Sequence, residues 1–481
     1  MPNRTFRETD ERTVRMQIYN TLTRKLEDFV PLKKGKVGIY ACGPTVYNYI
    51  HIGNARPIVT FDVLRRYFEY RGYDVTYVQN FTDIDDKILK KAKDENCSYK
   101  EVSQKFIDEY FKDARGLNVR DADVHPKVSE HIEEIIKMIS ALLESKHAYI
   151  AENNDVYFDT QSFEDYGKLS HQDIDSLESG ARITIEEKKK NAMDFALWKS
   201  PKEGEPYFEA PFGPGRPGWH IECSVMSTEI LGKTIDIHCG GQDLIFPHHE
   251  NEIAQSECCY DQKFANYWMH NGYINVDGSK MSKSLGNFFT VREIADKMGY
   301  EVIRYLMLSS HYRTPINFSK EILEQNKNSL DRLYNCKNSL EYEIKNTDGS
   351  KDVADYKTKL QEFKDEFINS MENDLNTADA LAAIFELTKY INTNILENGV
   401  KKEILKDALS LFIELNDVLG FLYERKENSE VDTSEIEKLI EKRQTARKEK
   451  NFALADEIRD ELLEKGIELK DTKEGVQWTV K

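Results

Sequence analysis

Apolar runs and helical periodicities alternate along residues 1–120. Lys36-Val37-Gly38-Ile39-Tyr40-Ala41-Cys42 is a short, nearly continuous apolar run, as expected of a strand buried on both faces. Gly43-Pro44-Thr45 turns it, and His51-Ile52-Gly53-Asn54 opens a helix through Val63 and Leu64. Asp74 to Asn80 reads as the next strand. Thr82-Asp83 should then cap a helix with Asp85 and Asp86 in its first turn and Lys90, Lys91 and Lys93 in its last. Those charges complement the helix dipole at both ends. The alternation predicts an α/β fold: a doubly wound, Rossmann-type parallel sheet, with a nucleotide at the carboxyl ends of the strands.

The pattern then changes twice. Residues 121–212 read as an insertion, helical from Ser129 to Leu143 and ending in a Pro/Gly-rich crossing. The sheet resumes over 213–260, with Ile235-Asp236-Ile237-His238 as a strand, and 261–317 forms a following region. Residues 318–425 are almost wholly helical and predict a bundle. A polar break leads to a small α+β domain, 426–481, with helices from Ser434 to Lys448 and Ala453 to Lys465 and a terminal hairpin that includes Trp478.

Composition narrows the partners. The 481 residues carry 67 basic and 85 acidic side chains, a net charge of −18, so an RNA partner would need a local basic face. Lys442 to Lys450 is the candidate, with Lys442, Arg443, Arg447 and Lys448 placed for phosphate contacts; a solvated helix face explains such a run equally well. No stretch approaches the ~18 apolar residues of a membrane span. Seven cysteines without framework spacing, and no apolar segment in Met1 to Asp10, lead us to expect a reducing, cytoplasmic setting.

Three clusters carry candidate chemistry. Lys280-Met281-Ser282-Lys283-Ser284 follows a short strand, Gly272 to Val276, and an Asp277-Gly278 turn; its ammonium and hydroxyl groups suit a loop closing over polyphosphate. His51 at a helix N-terminus can donate to developing phosphate charge, and Gly53 admits close approach of a nucleotide. In Phe246-Pro247-His248-His249-Glu250-Asn251-Glu252, His248 and Glu252 stand at i and i+4, a spacing shared by metal ligands and by ordinary helix contacts. The spacing does not say which cysteines would join them. Gly213-Pro214-Gly215-Arg216-Pro217-Gly218 fits a dinucleotide fingerprint, but no strand precedes it, so it reads as a rigid loop delivering Trp219-His220-Ile221-Glu222-Cys223.

The lysine-serine string resembles the KMSKS signature of class I aminoacyl-tRNA synthetases, and His51 to Asn54 resembles their HIGH motif, with Asn54 replacing its last histidine. Ile18 to Thr21, Cys42 to Tyr47, Thr82 to Lys87, Asp194 to Lys199, Gly215 to Cys223 and His238 to Asp243 are similar to cysteinyl-tRNA synthetases, a likeness running from Ile18 to Trp478. This resemblance implies a zinc ion on Cys42, Cys223, His248 and Glu252, with Thr82, Trp219, His238 and Asp243 around the amino acid. ATP would meet His51, Gly53, Asn54, Gly240, Asp243, Lys280, Ser282 and Lys283, with Mg²⁺ on its phosphates; His51, Lys280 and Lys283 would be catalytic. It also implies tRNA(Cys), ATP and L-cysteine as partners, with 318–425 and 426–481 reaching the anticodon; we expect a monomer whose basic run and terminal hairpin offer Lys442, Arg443, Arg447, Lys448 and Trp478 to tRNA. The expected activity is a cysteine–tRNA ligase. Rivals are a ligase joining cysteine to an amino-sugar on the same core, which would not need about 160 residues after Asn317, and a non-catalytic RNA-binding relative.

Overall fold

The computed structural model describes residues 16–172, 189–276, 279–280, 289–396, 399–423, 433–464, 467–472 and 475–480. The chain forms two units, Met1–Tyr423 and Glu424–Lys481.

Four parallel strands centre the first unit, in the order Ala265–Asn271, Ile235–Gly241, Lys36–Ala41, Asp74–Gln79. Val37, Ile39, Tyr40, Val78, Ile237 and Cys239 are buried, so this sheet has the apolar character on both faces that helices on either side require. Its carboxyl ends release the chain at Cys42, Asn80, Gln242 and Gly272. The helix from Ile52 to Tyr70 has His51 as its N-cap, and the Asn54 side chain accepts from the His51 N–H at 3.1 Å. That contact is a capping interaction, which explains how asparagine serves the helix start here.

One predicted helix begins later than its sequence suggests. Thr82 and Asp83 are drawn away: Thr82 Oγ1 donates to Glu222 at 2.6 Å, and Asp83 accepts from the Ser129 N–H and Oγ. The helix therefore runs Asp86–Glu95, with Asp85 capping it by accepting from the Lys87 N–H. Only the tertiary partners of Thr82 and Asp83 reveal this.

The inserted segment forms a four-stranded antiparallel sheet, Ala148–Ile150, Val156–Phe158, Phe195–Lys199, Arg216–Pro217. Part of the expected glycine-rich loop is thus an edge strand. A Cβ on Gly218 would lie 1.9 Å from the Ala196 carbonyl, so glycine there permits strand contact.

Helices Lys320–Asn346, Tyr356–Glu372, Thr377–Tyr390 and Lys402–Leu419 form the following bundle. A buried charge cluster joins it to the sheet domain. Arg304 donates to Asp62, Leu117 O, Asn118 O and Leu419 O, and Arg66 also binds Asp62. Burial opposes ionisation of Asp62, but the two guanidinium groups hold its carboxyl below the usual range. Asp62→Ala leaves Arg304 buried without its counter-charge and should cost about 3–5 kcal/mol in urea unfolding. A loss under about 1 kcal/mol would refute this joint.

In the second unit, helices Thr433–Lys448 and Phe452–Glu464 pack through Ile440, Ile458 and Leu462, followed by the antiparallel pair Ile467–Thr472 and Gly475–Val480. Among the described residues no helix is long and apolar enough to cross a membrane.

Candidate active site

A cavity of about 440 Å³ runs along the carboxyl ends of the parallel strands. Cys42 lies at its wall, with His51, Gly53, Asn54, Trp219, Gly241, Asp243 and Asn271 to Ile274 lining the rest. Sheet topology puts these dispersed residues together: each leaves the end of a strand or begins the element after it.

Cys42 is one of four donors that converge beside the cavity. Cys42, Cys223, His248 and Glu252 present ligand atoms within 4.8 Å of one another. The Cys42 and Cys223 sulfurs are 3.6 Å apart, Cys42 Sγ is 3.4 Å from Glu252 Oε1, and His248 Nε2 is 3.0 Å from the same oxygen. Two sulfurs bound at ~2.3 Å in a tetrahedron stand ~3.8 Å apart, and mixed pairs slightly closer, so the spacing fits one small tetrahedral cation. Burial acts to lower His248, but Glu252 and Cys223 raise it to about 10. Burial acts to raise Cys223, but Cys42 and His248 bring it to about 6. A cation at the centre would compete with the protons these groups share.

A second set, Cys42, His238, His249 and Glu252, is equally compact. It offers one cysteine sulfur rather than two, with His249 Nε2 3.3 Å from Cys42 Sγ. His249 Nδ1 pairs with His270 Nε2 at 2.8 Å, and His270 Nδ1 with Thr21 Oγ1 at 2.8 Å. His238 Nε2 meets Glu252 Oε2 at 2.8 Å and its ring stacks on Trp268. Burial and neighbouring imidazoles hold His249 neutral, and burial pushes His270 down to about 3. This chain of imidazoles was not legible in the sequence, because its members come from three separate elements.

The expected amino-acid contacts divide. Trp219 lines the cavity, 42% exposed, with its ring 4.3 Å from His248; Asp243 lines it too. Thr82 and His238 do not. Both are buried behind the wall, where they hydrogen-bond Glu222 and Glu252. Gly240 also lies behind it: a Cβ there would come 2.7 Å from the His249 ring, so packing demands that glycine, and Gly241 is the one at the cavity. Lys87 and Asn271 line the cavity without having been expected there. Lys280 stands in a short strand, Ser279–Lys280, paired with Ile274–Val276. The Asp277-Gly278 turn, Ser282 and Lys283 lie outside the described residues.

Of the basic residues expected to meet tRNA, Lys442, Arg447 and Lys448 are exposed. Arg443 differs from them: it is 5% exposed, because its spacing of three from both Ile440 and Ala446 puts it on the packed face of its helix. Trp478 stands in the terminal strand, but its side chain is outside the described residues.

Family comparisons agree with this geometry. Residues 28–328 match the catalytic domain of class I (C) tRNA synthetases, 366–423 the DALR domain, and 433–478 the cysteinyl-tRNA ligase anticodon binding domain. Two structures of Mycobacterium tuberculosis methionyl-tRNA synthetase with methionyl-adenylate superpose with TM-scores of 0.59 and 0.62 at 14% identity. They match 80% of this chain and 89% and 92% of their own, a likeness of fold. The parallel sheet, the helix opening at His51 and the helical region behind them define a class I aminoacyl-tRNA synthetase. A cysteine–tRNA ligase of Clostridioides difficile (strain 630) is 56% identical over 467 residues, 96% of this chain and 99% of that relative. The chain belongs to the cysteine–tRNA ligase family.

Proposed function

We propose that the chain charges tRNA(Cys) with L-cysteine in two steps, selecting the amino acid through zinc held by Cys42, Cys223, His248 and Glu252. The observation that carries this reading is the buried four-donor set one of whose members, Cys42, lines the same cavity as His51. When bound, zinc supplies a soft acid that favours thiolate sulfur over a hydroxyl and lowers a thiol's pKa. His238 holds the second Glu252 oxygen, which would leave the first for the ion. Trp219 covers His248 and gives the bound side chain an apolar side. Thr82 acts one shell back, fixing Glu222 next to Cys223.

In the first step the cysteine carboxylate attacks the α-phosphorus of ATP, and pyrophosphate leaves with the bridging oxygen. His51 and the N-terminus of its helix would meet the phosphate charge, and Gly53, Asn54 and Asp243 line the same cavity. Lys280, Ser282 and Lys283 would meet the departing phosphates with Mg²⁺. In the second step the terminal ribose hydroxyl of tRNA attacks the carbonyl carbon and AMP leaves. Neither step needs a protein nucleophile; both need positioning and charge stabilisation.

Metal analysis of purified protein beside tRNA charging with cysteine and with serine tests the reading. We expect about one zinc per chain, with cysteine preferred by far more than the ~10–200-fold that a pocket gains from one small group. Full cysteine activation by metal-free protein, or equal activation of serine, would overturn it. If adenylate forms but no tRNA is charged, a small-acceptor ligase becomes the better reading; no cysteine-dependent exchange at all would leave the RNA-binding relative.

A further inference from the structure

Arg56 lies inside the helix that opens at His51, and its side chain is 0% exposed. Its guanidinium donates to three backbone carbonyls of two other segments: Tyr273 O at 2.9 Å, His311 O at 3.1 Å, and Thr314 O. A buried cation held by neutral carbonyls costs more to desolvate than an apolar side chain filling the same space. An apolar contact would seal that helix face, but it would not fix the register of the strands beyond it.

Those strands lead to the lysine-serine segment. Tyr273 O also accepts the Ile316 N–H at 3.0 Å, and Ile274–Val276 pairs in parallel with Ile316–Phe318. On its other edge Ile274–Val276 pairs with Ser279–Lys280, placing Lys280 opposite Asn275. Beyond residues 281–288 the chain returns to the same helix. Ile52 N donates to Phe289 O at 3.0 Å, and Val291 N donates to Ile50 O at 3.0 Å. His51 and Thr290 stand opposite each other in that bridge. The far end of the segment is thus tied directly to the helix start, and the near end is tied through Arg56.

We propose that Arg56 is a positioning residue for adenylate formation, setting the Lys280 end of the segment at a fixed place relative to His51. The proposal rests on the reading that Lys280 acts on ATP phosphates. A planar fork reaching carbonyls of both 273 and 311–314 locks the two strands to one helix. A lysine's single ammonium cannot span them.

A double-mutant cycle tests it, with cysteine-dependent ATP–pyrophosphate exchange as the assay. Arg56→Lys should lower kcat by about 10–100-fold and leave the KM for cysteine within about twofold, because the amino-acid wall is untouched. In a Lys280→Ala background the same substitution should cost less than about threefold, since the group it positions is gone. A merely structural lesion would give the same loss in both backgrounds, or raise the cysteine KM along with the fall in kcat; either result overturns the proposal. Arg56→Gln is the second variant, retaining two of the N–H donors. If neither variant accumulates as folded protein, Arg56 serves the fold alone and the proposal falls. If Lys280→Ala by itself leaves exchange unchanged, the phosphate reading of Lys280 fails, a result separate from additivity of the two substitutions.

Discussion

Cys223→Ser is expected to yield protein with little or no zinc and a kcat/KM for cysteine activation lower by about 10³-fold, with ATP binding nearly intact. Cys223 comes from the helix Ile221–Leu231 and supplies one of two sulfurs, 3.6 Å from Cys42. Serine preserves the volume but replaces a thiolate donor by a hydroxyl that does not ionise near neutral pH, which removes the soft ligand. ATP should be spared because its proposed contacts, from His51 to Asn54 and at Asp243, lie elsewhere on the cavity wall. The measurements are metal content, the KM for cysteine, and ATP binding by calorimetry. Wild-type cysteine affinity in a zinc-depleted Cys223→Ser protein would show that the thiolate is not selected through this metal. Retention of zinc with Cys223→Ser would favour the alternative donors His238 and His249.

Removing residues 426–481 should leave cysteine-dependent exchange within about twofold while tRNA charging falls on the order of 100-fold or more, the scale on which a second, linked binding contact contributes. The boundary follows the division of the chain into units at Tyr423 and Glu424, so the catalytic unit retains its own core. Charge reversal at Arg447 and Lys448, both exposed, should weaken tRNA binding and flatten its salt dependence by about one unit of slope per lost phosphate contact. Arg443→Glu should instead destabilise the two-helix unit, because that side chain is packed inside it. Normal charging by the truncated enzyme would show that this unit does not read the anticodon.

The helices and strands were legible wherever their order depends on neighbours in sequence. The strand at Lys36–Ala41, the helix after His51, the long helical run and the terminal hairpin all sit where apolar spacing and turn residues put them. Failures came where a long-range partner competes with a local one. Thr82 and Asp83 look like caps and are claimed by Glu222 and Ser129. Arg443 is a different case: it belongs to the basic run, yet helical spacing, a local property, ranks it with Ile440 and Ala446.

The candidate site divides along the same line. Sequence by itself determined that His248 and Glu252 share a helical neighbourhood, because a spacing of four residues is a property of the local chain. It also placed His51 at a helix start. What only the tertiary structure decided is that Cys42, at the end of one parallel strand, meets Cys223 and Glu252 from two separate helices, and that Thr82 and His238 hydrogen-bond Glu222 and Glu252. No local period encodes those meetings. They follow from strand order, which brings the carboxyl ends of distant segments within a few ångströms of one another.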